Sequence, residues 1–480
     1  MGFKQDLAND NECKQLYLPF FTPANFKIPD YPDMVFEKVC PLKRMLRAGY
    51  SNSQLELLNS FNFTELQSKG RLGKFITLLM NPAVVKSLLT IKSKKFIKSP
   101  VVVWLLKPLI GNSLFICNEQ DWAGKRKSLE LSLRNIPSNV LIDKCHDSAD
   151  AVFQQFCSEA HNRVSANAIA QFYSADSVAR FLTGRSIASI SGFDEIMKVF
   201  HRYESNILRC AFLANVGFSK RILGNFFKFK ALAVRSWVEK LVLNSILYPN
   251  ANQHPTILDI LWQRDSDPVT RGVPRDVLDT SNDIMLSGYS TTASAVASML
   301  YLLSLYSDEQ HLVRNEVRSF TTGSPRSLNE HELSTAVYSI AFVAEVLRLY
   351  PPVSFIQRIA TSHNQFVESF FEEGSLILVS PWAIHRHYKF WERPNHFSPQ
   401  RWLDANGSAA QKISDAQFLP FGKGHRGCPG ERLANTILLV MLTSIVQKFE
   451  IKGVTHSKVT WKSQLSLKSS KPISLIIRKL

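Results

Sequence analysis

Apolar positions along the chain recur mostly at helical spacing. The longest such pattern starts in "DVLDTSNDIMLSGYS" and continues through "TTASAVASMLYLLSL" at 291–305. It predicts one long helix with small residues along part of its length. Residues 431–447, "ERLANTILLVMLTSIVQ", are nearly all apolar and predict a second helix that is buried. Strand-like runs are short and lie mainly in the last third, "SLILVS" at 375–380 and "ISLIIRKL" at the C-terminus. Turn signals cluster at "YPPVS", "FEEGS", "RPNHFSP" and "TTGSPRS". With no repeat, low-complexity tract or linker to divide the chain, the expected fold is mainly α: one large helical unit with a small β-rich part.

Composition narrows this picture. A chain of 480 residues that is 45% hydrophobic and 20% charged can bury a large core, which excludes extensive disorder. The formal net charge of +17 is spread along the sequence, reading as a solvated basic surface that favours acidic partners, with no nucleic acid expected. The 7 cysteines (Cys13, Cys40, Cys117, Cys145, Cys157, Cys210 and Cys428) are odd in number and contain no C-x-x-C pair. Neither a disulfide framework nor a zinc site is indicated, and a reducing compartment fits. The N-terminal "MGFKQDLANDNECKQLYLPFF" is polar, and no run reaches the ~18 apolar residues of a membrane span. The nearest, "VVVWLLKPLIG" at 101–111, is broken by Lys107 and Pro108. A cytoplasmic monomer without an integral membrane anchor is expected, with membrane contact through 218–230 as a weaker alternative.

One cysteine stands in an unusual frame. "PFGKGHRGCPGERLA" at 420–434 surrounds Cys428 with Gly422, Gly424, Gly427 and Gly430, places Arg426 two residues before it, and runs into the predicted helix at Glu431. Glycines let the backbone turn its N–H groups toward a sulfur, and a helix N-terminus favours a thiolate over a thiol. Pro429 has no N–H to offer. Fewer donors leave a thiolate more electron-rich.

"FGKGHRGCPG" matches F-x-x-G-x-R-x-C-x-G at every fixed position (Phe421, Gly424, Arg426, Cys428 and Gly430), and so resembles the heme-binding loop of the cytochrome P450 family. The resemblance covers residues from about 60 to 480, taken as a P450 domain over 46–480, and leaves 1–45 as an extension of unknown role. It implies heme b as cofactor, with Cys428 as the metal ligand. "EVLRL" supplies Glu345 and Arg348, and "FSPQRW" supplies Arg401, which resemble the family's structural ion triad. "DWAGKR" gives Trp122 and Arg126, similar to the helix that contacts a heme propionate, and Arg358 stands where a second propionate-binding arginine is expected.

"LSGYSTT" at 286–292 resembles the family's A-G-x-(D/E)-T-T segment, with Gly288, Thr291 and Thr292 in place and Ser290 where the acid stands. The glycine is expected to let the helix open locally, and Thr291 to steady bound oxygen and help deliver protons. A serine holds no charge near neutral pH. Protons are therefore expected through Ser290 and ordered water, with Asp283, two turns earlier on roughly the same face, as the distant carboxylate.

The resemblance implies a heme-thiolate monooxygenase acting on a mostly apolar small molecule. With no flavin or iron–sulfur domain recognisable, electrons are expected from a separate acidic protein: a flavodoxin, ferredoxin or diflavin reductase. Two alternatives stay open: a heme-thiolate isomerase or dehydratase that needs no reductase, and a heme-binding protein without turnover. Phe212, Phe218, Phe226, Phe227 and Phe229 suggest an apolar entrance, and Lys220, Arg221, Lys228 and Lys230 suit an acidic substrate or a membrane surface.

Overall fold

The computed structural model describes residues 65–69 and 75–480, apart from 92, 118, 158–160, 216–219, 249–254, 263–271, 323, 367–368, 405, 408–416 and 455–458. The 1–45 extension lies outside the described residues, as do the side chains of Phe212, Phe218, Phe226, Phe227, Lys220 and Arg221.

Helices dominate, as the periodicity requires. In chain order they are α1 (Pro82–Leu89), α2 (Pro100–Ile110), α3 (Glu119–Arg134), α4 (Ser138–Phe156), α5 (Ala166–Thr183) and α6 (Phe193–Asn215). There follow α7 (Lys220–Leu247), α8 (Ile257–Leu261), α9 (Arg275–Leu305), α10 (Ser307–Thr321) and α11 (Glu330–Thr335). The last are α12 (Val337–Leu349), α13 (Pro381–Ile384) and α14 (Glu431–Lys448).

The strands are β1 (Glu65–Lys69), β2 (Phe75–Leu79), β3 (Phe96–Ile97), β4 (His161–Ser165), β5 (Ile356–Ala360), β6 (Asn364–Phe366), β7 (Ser369–Phe371) and β8 (Leu376–Val379). After these come β9 (Phe449–Gly453), β10 (Trp461–Ser463), β11 (Leu467–Ser469) and β12 (Ser474–Lys479). A five-stranded sheet runs in the order β1-β2-β8-β5-β3, with β2 parallel to β8 and the other neighbours antiparallel. "ISLIIRKL" forms β12, the middle strand of a three-stranded sheet between β4 and β9, burying Leu475 and Ile477 while Ile476 faces out. That alternation is the period of two of a strand with one covered face.

The 31-residue α9 is the centre of the molecule, apolar enough to be covered on most sides. Its main neighbour is α5, itself almost wholly buried, with Ala175, Val178 and Ala179 in the core. Gly288 is what brings them together: a Cβ built there would lie 3.1 Å from Val178. The expected local opening of the helix does not occur. α9 is continuous from end to end, and the glycine serves close packing of two helices.

Behind this core sits a buried ion cluster. Arg348 Nε and Nη2 donate to the two oxygens of Glu345 at 2.7 and 2.8 Å, a bidentate pair with both side chains fully buried. Glu345 also accepts from Arg401 Nε, from Ser398 N and from Trp402 Nε1, each at 2.9 Å. Arg348 Nη1 donates to the carbonyls of His385 and Pro394, both at 2.7 Å, and Nη2 donates also to His396 O at 3.1 Å. Such a charge is tolerable in a core only because every polar atom is satisfied.

Burial alone would push the Glu345 carboxyl up, but Arg348 and Arg401 outweigh it and hold it below the usual carboxylate range. A carboxylate depressed by folding stabilises the native state above its unfolded pKa, and that stability disappears as pH falls through the folded value. Glu345→Ala is expected to destabilise the fold by about 3–5 kcal/mol, since it strands Arg348 and Arg401. Denaturant unfolding near neutral pH checks this, and a loss below about 1 kcal/mol contradicts it.

Candidate functional site

The cysteine segment is bent by glycine. Gly422 and Gly424 have φ of 70° and 74°, the left-handed region. At Gly424 the need is also steric, because a Cβ would fall 2.2 Å from the carbonyl oxygen of Leu89 at the end of α1. The turn is closed by Gly422 N to Leu419 O at 3.2 Å, Gly427 N to Gly424 O at 2.9 Å and Cys428 N to Phe421 O at 2.9 Å. These bonds place Cys428 just before Gly430, the N-cap of α14.

The loop is fixed to the ion cluster through His385, which the sequence reading missed. His385 is fully buried, and burial together with Arg348 pushes its pKa from 6.5 down to about 3, so the ring is neutral. Leu419 N donates to its Nε2 at 2.8 Å, which leaves the proton on Nδ1, donated to Arg348 O at 3.1 Å. An unbroken series of bonds thus runs from Glu345 through Arg348, His385 and Leu419 to the turn that holds Cys428.

Among the described cysteines Cys117, Cys145, Cys157 and Cys210 are buried, whereas Cys428 is accessible. Protein nevertheless surrounds its sulfur: burial pushes the thiol up, partly offset by the Gly430 N–H that points at it. An atom both accessible and enclosed lines an internal space. The same holds for the first turns of α14, whose residues 431–436 are half-buried or exposed where the sequence pattern predicted a fully buried helix. On α9 a stripe of Ile284, Ser287, Gly288 and Thr291 is likewise open along an otherwise covered helix. Thr291 Oγ1 donates to Ser287 O at 2.7 Å, which leaves its lone pairs free to accept.

Positive charge gathers around the loop. Arg426 stacks 4.6 Å over the Trp122 ring and pairs with Glu119 at 2.5 Å through Nη2. Its Nη1 is buried and meets no acceptor among the described residues. Arg126 Nη1 donates to Gly427 O at 2.6 Å, bracing the loop itself, and its Nε pairs with Glu130. Arg358 on β5 donates to Gln357 O, and burial followed by Arg426 lowers its pKa to about 10. Lys98, absent from the sequence reading, completes the group: burial, then Arg358 and Arg426, pull it down to about 7. No local motif could have shown Lys98, because its neighbours come from other strands and loops.

Lys98, Arg358 and Arg426 form a desolvated cation cluster with an orphaned donor, which fits the two carboxylates of heme b. In a bound heme, Cys428 on the bent loop would be the protein's metal ligand. Thr292, by contrast, is buried away from this space. Ser290 is buried as well, its hydroxyl bonded to Glu204 of α6 and to Ser466. The expected link from Asp283 to Ser290 is not made: Asp283 accepts from Phe115 N at 3.0 Å, and burial, eased by that bond and by Ser113, pushes its carboxyl up.

Two outcomes follow from this geometry. Titrating heme into heme-depleted protein is expected to slow acylation of Lys98 at about pH 8, because added carboxylates return the amine to its charged form. Mass spectrometry reads the change, and equal labelling with and without heme contradicts the cluster's role. Pro429→Ala adds an N–H beside the sulfur and is expected to raise the heme reduction potential, with an unchanged or lower value in spectroelectrochemistry as the contrary result.

Comparison with known proteins shows the family. The family model "Cytochrome P450" matches residues 71–477. Cytochrome P450 6j1 of Blattella germanica is 23% identical over 393 residues, covering 80% of this chain and 78% of that protein. Cytochrome P450 CYP82J17 of Trigonella foenum-graecum is 26% identical over 51% of this chain, and the chain spans 48% of that relative's length. Cytochrome P450 2U1 of Homo sapiens is 34% identical over 37% of this chain and 32% of its own. Among solved structures the cytochrome P450DA heme domain superposes with a TM-score of 0.74 at 17% identity, covering 89% of this chain and 94% of that one. A family match over residues 71–477, on a fold that bends the backbone around Cys428 beside cations suited to two carboxylates, makes the chain a member of the cytochrome P450 family with heme b as its cofactor.

Proposed function

We propose that the chain is a heme-thiolate monooxygenase that places one atom of dioxygen in an apolar small molecule, with electrons from a separate acidic redox protein. The observation that carries this reading is the sulfur of Cys428, turned onto an internal space beside the open Ser287–Thr291 face of α9 and the Lys98, Arg358 and Arg426 cations. When bound, heme b supplies the reductive activation of dioxygen.

The chain's own residues do the rest. Cys428 holds the metal through Sγ with one backbone donor, Gly430 N–H, and none from Pro429, keeping the sulfur electron-rich. Arg426, Arg358 and Lys98 hold the carboxylates. Thr291 presents a hydroxyl whose proton is committed to Ser287 O, so its oxygen accepts from water at the reacting end of the space. That hydroxyl favours oxygen chemistry over isomerase or dehydratase chemistry, neither of which needs protons delivered to bound dioxygen. The net charge of +17 suits docking of an acidic electron carrier, and no described helix is long and apolar enough to cross a membrane. At the substrate end, Phe229 on α7 is 80% exposed between Lys228 and Lys230, consistent with an apolar mouth ringed by positive charge.

Panels of fatty acids, terpenoids and steroids incubated with a surrogate diflavin reductase test this reading. Products carrying one atom from labelled dioxygen, formed only with reductant, are expected. Product formed equally without reductant or oxygen establishes the isomerase or dehydratase instead.

A further inference from the structure

The acid that Ser290 displaces from α9 is restored in space by a second helix. Glu204 of α6 is fully buried, and its Oε1 accepts the Ser290 hydroxyl. Its Oε2 pairs with Lys468 of β11 and lies 3.2 Å from His201 Nδ1. Burial would push this carboxyl up, but Lys468, then the bonds from His201, Lys468 and Ser290, hold it below the usual range.

His201 has two ways to complete the group. Lys468 Nζ stands 2.9 Å from the same Nδ1, and Tyr289 OH lies 2.9 Å from Nε2. A neutral ring accepts from Lys468 at Nδ1, whereas a protonated ring donates from Nδ1 to Glu204. His201 and Lys468 are each partly exposed, with 28% and 22% of their side chains accessible, while Glu204 shows none. They border a pocket between α5, α9 and the β10–β11 hairpin lined also by Asn167, Gln171, Ser290 and Ser469. It gives about 30 Å³ to the centres of water molecules, room for one or two of them.

We propose that this pocket is the proton inlet of the enzyme, running through His201 and Lys468 to Glu204 and Ser290, with Glu204 in the part of the missing α9 acid. The proposal rests on the monooxygenase reading. Each proton drawn toward the oxygen site leaves the Ser290 hydroxyl. His201 or Lys468 passes a proton to the Glu204 carboxylate, Glu204 hands it on to Ser290, and pocket water recharges the donor. One proton enters for each consumed and no net charge is left in the core. The outlet next to Ser290 is Ser466, whose Oγ lies 2.8 Å away on a turn whose Leu467 N is bonded to Pro352 O, in the segment leading to Arg358.

Glu204, Ser290 and Lys468 touch no reacting atom in this scheme and act as relay and positioning residues. Glu204→Gln and Ser290→Ala are expected to lower product formation on the order of a hundredfold, with electrons diverted to hydrogen peroxide and a larger solvent deuterium isotope effect. The carbon monoxide spectrum should stay that of the parent. Glu204→Gln with Ser290→Asp moves the carboxylate onto α9 and should restore most of the coupling, which a merely structural Glu204 would not allow.

A second readout needs no turnover. Isotope-edited infrared spectra of the heme-loaded protein should show the Glu204 carboxylate band shift on Ser290→Ala and on Lys468→Met, since each substitution removes a partner of one carboxylate oxygen. Unchanged coupling and isotope effect in Ser290→Ala, or a Glu204 band indifferent to both substitutions, overturns the inlet. Parent protein without oxygen- and electron-dependent turnover instead overturns the monooxygenase reading beneath it.

Discussion

The buried carboxylate of Glu345 is the constraint from which the rest of the site hangs. A charge with no access to water has to be matched atom by atom, and here two arginines, an indole and a backbone amide do so. Satisfying it pins α12 to the segment around 394–402 and orients Arg348 so that its carbonyl meets His385. The neutral ring of His385 then receives Leu419 N and fixes where the cysteine turn begins. The position of one sulfur is thereby set by an ion pair that takes no part in chemistry. The arrangement is sensitive to acid for a shared reason: Glu345 and His385 are both held at depressed pKa values in the fold, so protonating either opposes folding as pH falls.

Packing and charge divide the work around the internal space. α5 and α9 meet closely because Gly288 yields to Val178, and the stripe of α9 that carries this glycine, from Ile284 to Thr291, stays partly open to the reacting end. On the loop side Lys98, Arg358 and Arg426 repel one another in a place with little water, a costly arrangement for a structural cluster and a useful one for a site that takes up carboxylates. The basic cluster and the Glu204 group are separate devices: one receives negative charge from a ligand, the other is balanced internally by Lys468.

What the sequence made legible was local. The Glu345–Arg348 offset and the long apolar periodicity of α9 each sit within a few turns of chain and read correctly as a contact and an element, and the F-x-x-G-x-R-x-C-x-G spacing marked the glycine-bent loop that carries Cys428. Arg401 was legible through its neighbours in "FSPQRW". What stayed hidden depends on segments far apart in the chain. Glu204 lies 86 residues from Ser290 and Lys468 264 residues from Glu204, so the missing acid looked like a gap, and Asp283 was the nearest carboxylate a helical count could suggest. The two errors on helices have one cause. Composition cannot tell a face covered by protein from one lining an internal space, so α14 read as buried throughout and Gly288 read as a hinge rather than as the point where Val178 closes in.

The account turns on the ligation of heme by Cys428, and one spectrum tests that most directly: the ultraviolet–visible spectrum of the purified, dithionite-reduced protein under carbon monoxide, beside Cys428→Ala. A strongly red-shifted Soret band in the parent, absent from the variant, is the predicted result. A heme-loaded parent without that shift, or a variant that keeps it, would mean that the sulfur is not the ligand and that the site described above does not work as an oxygenase.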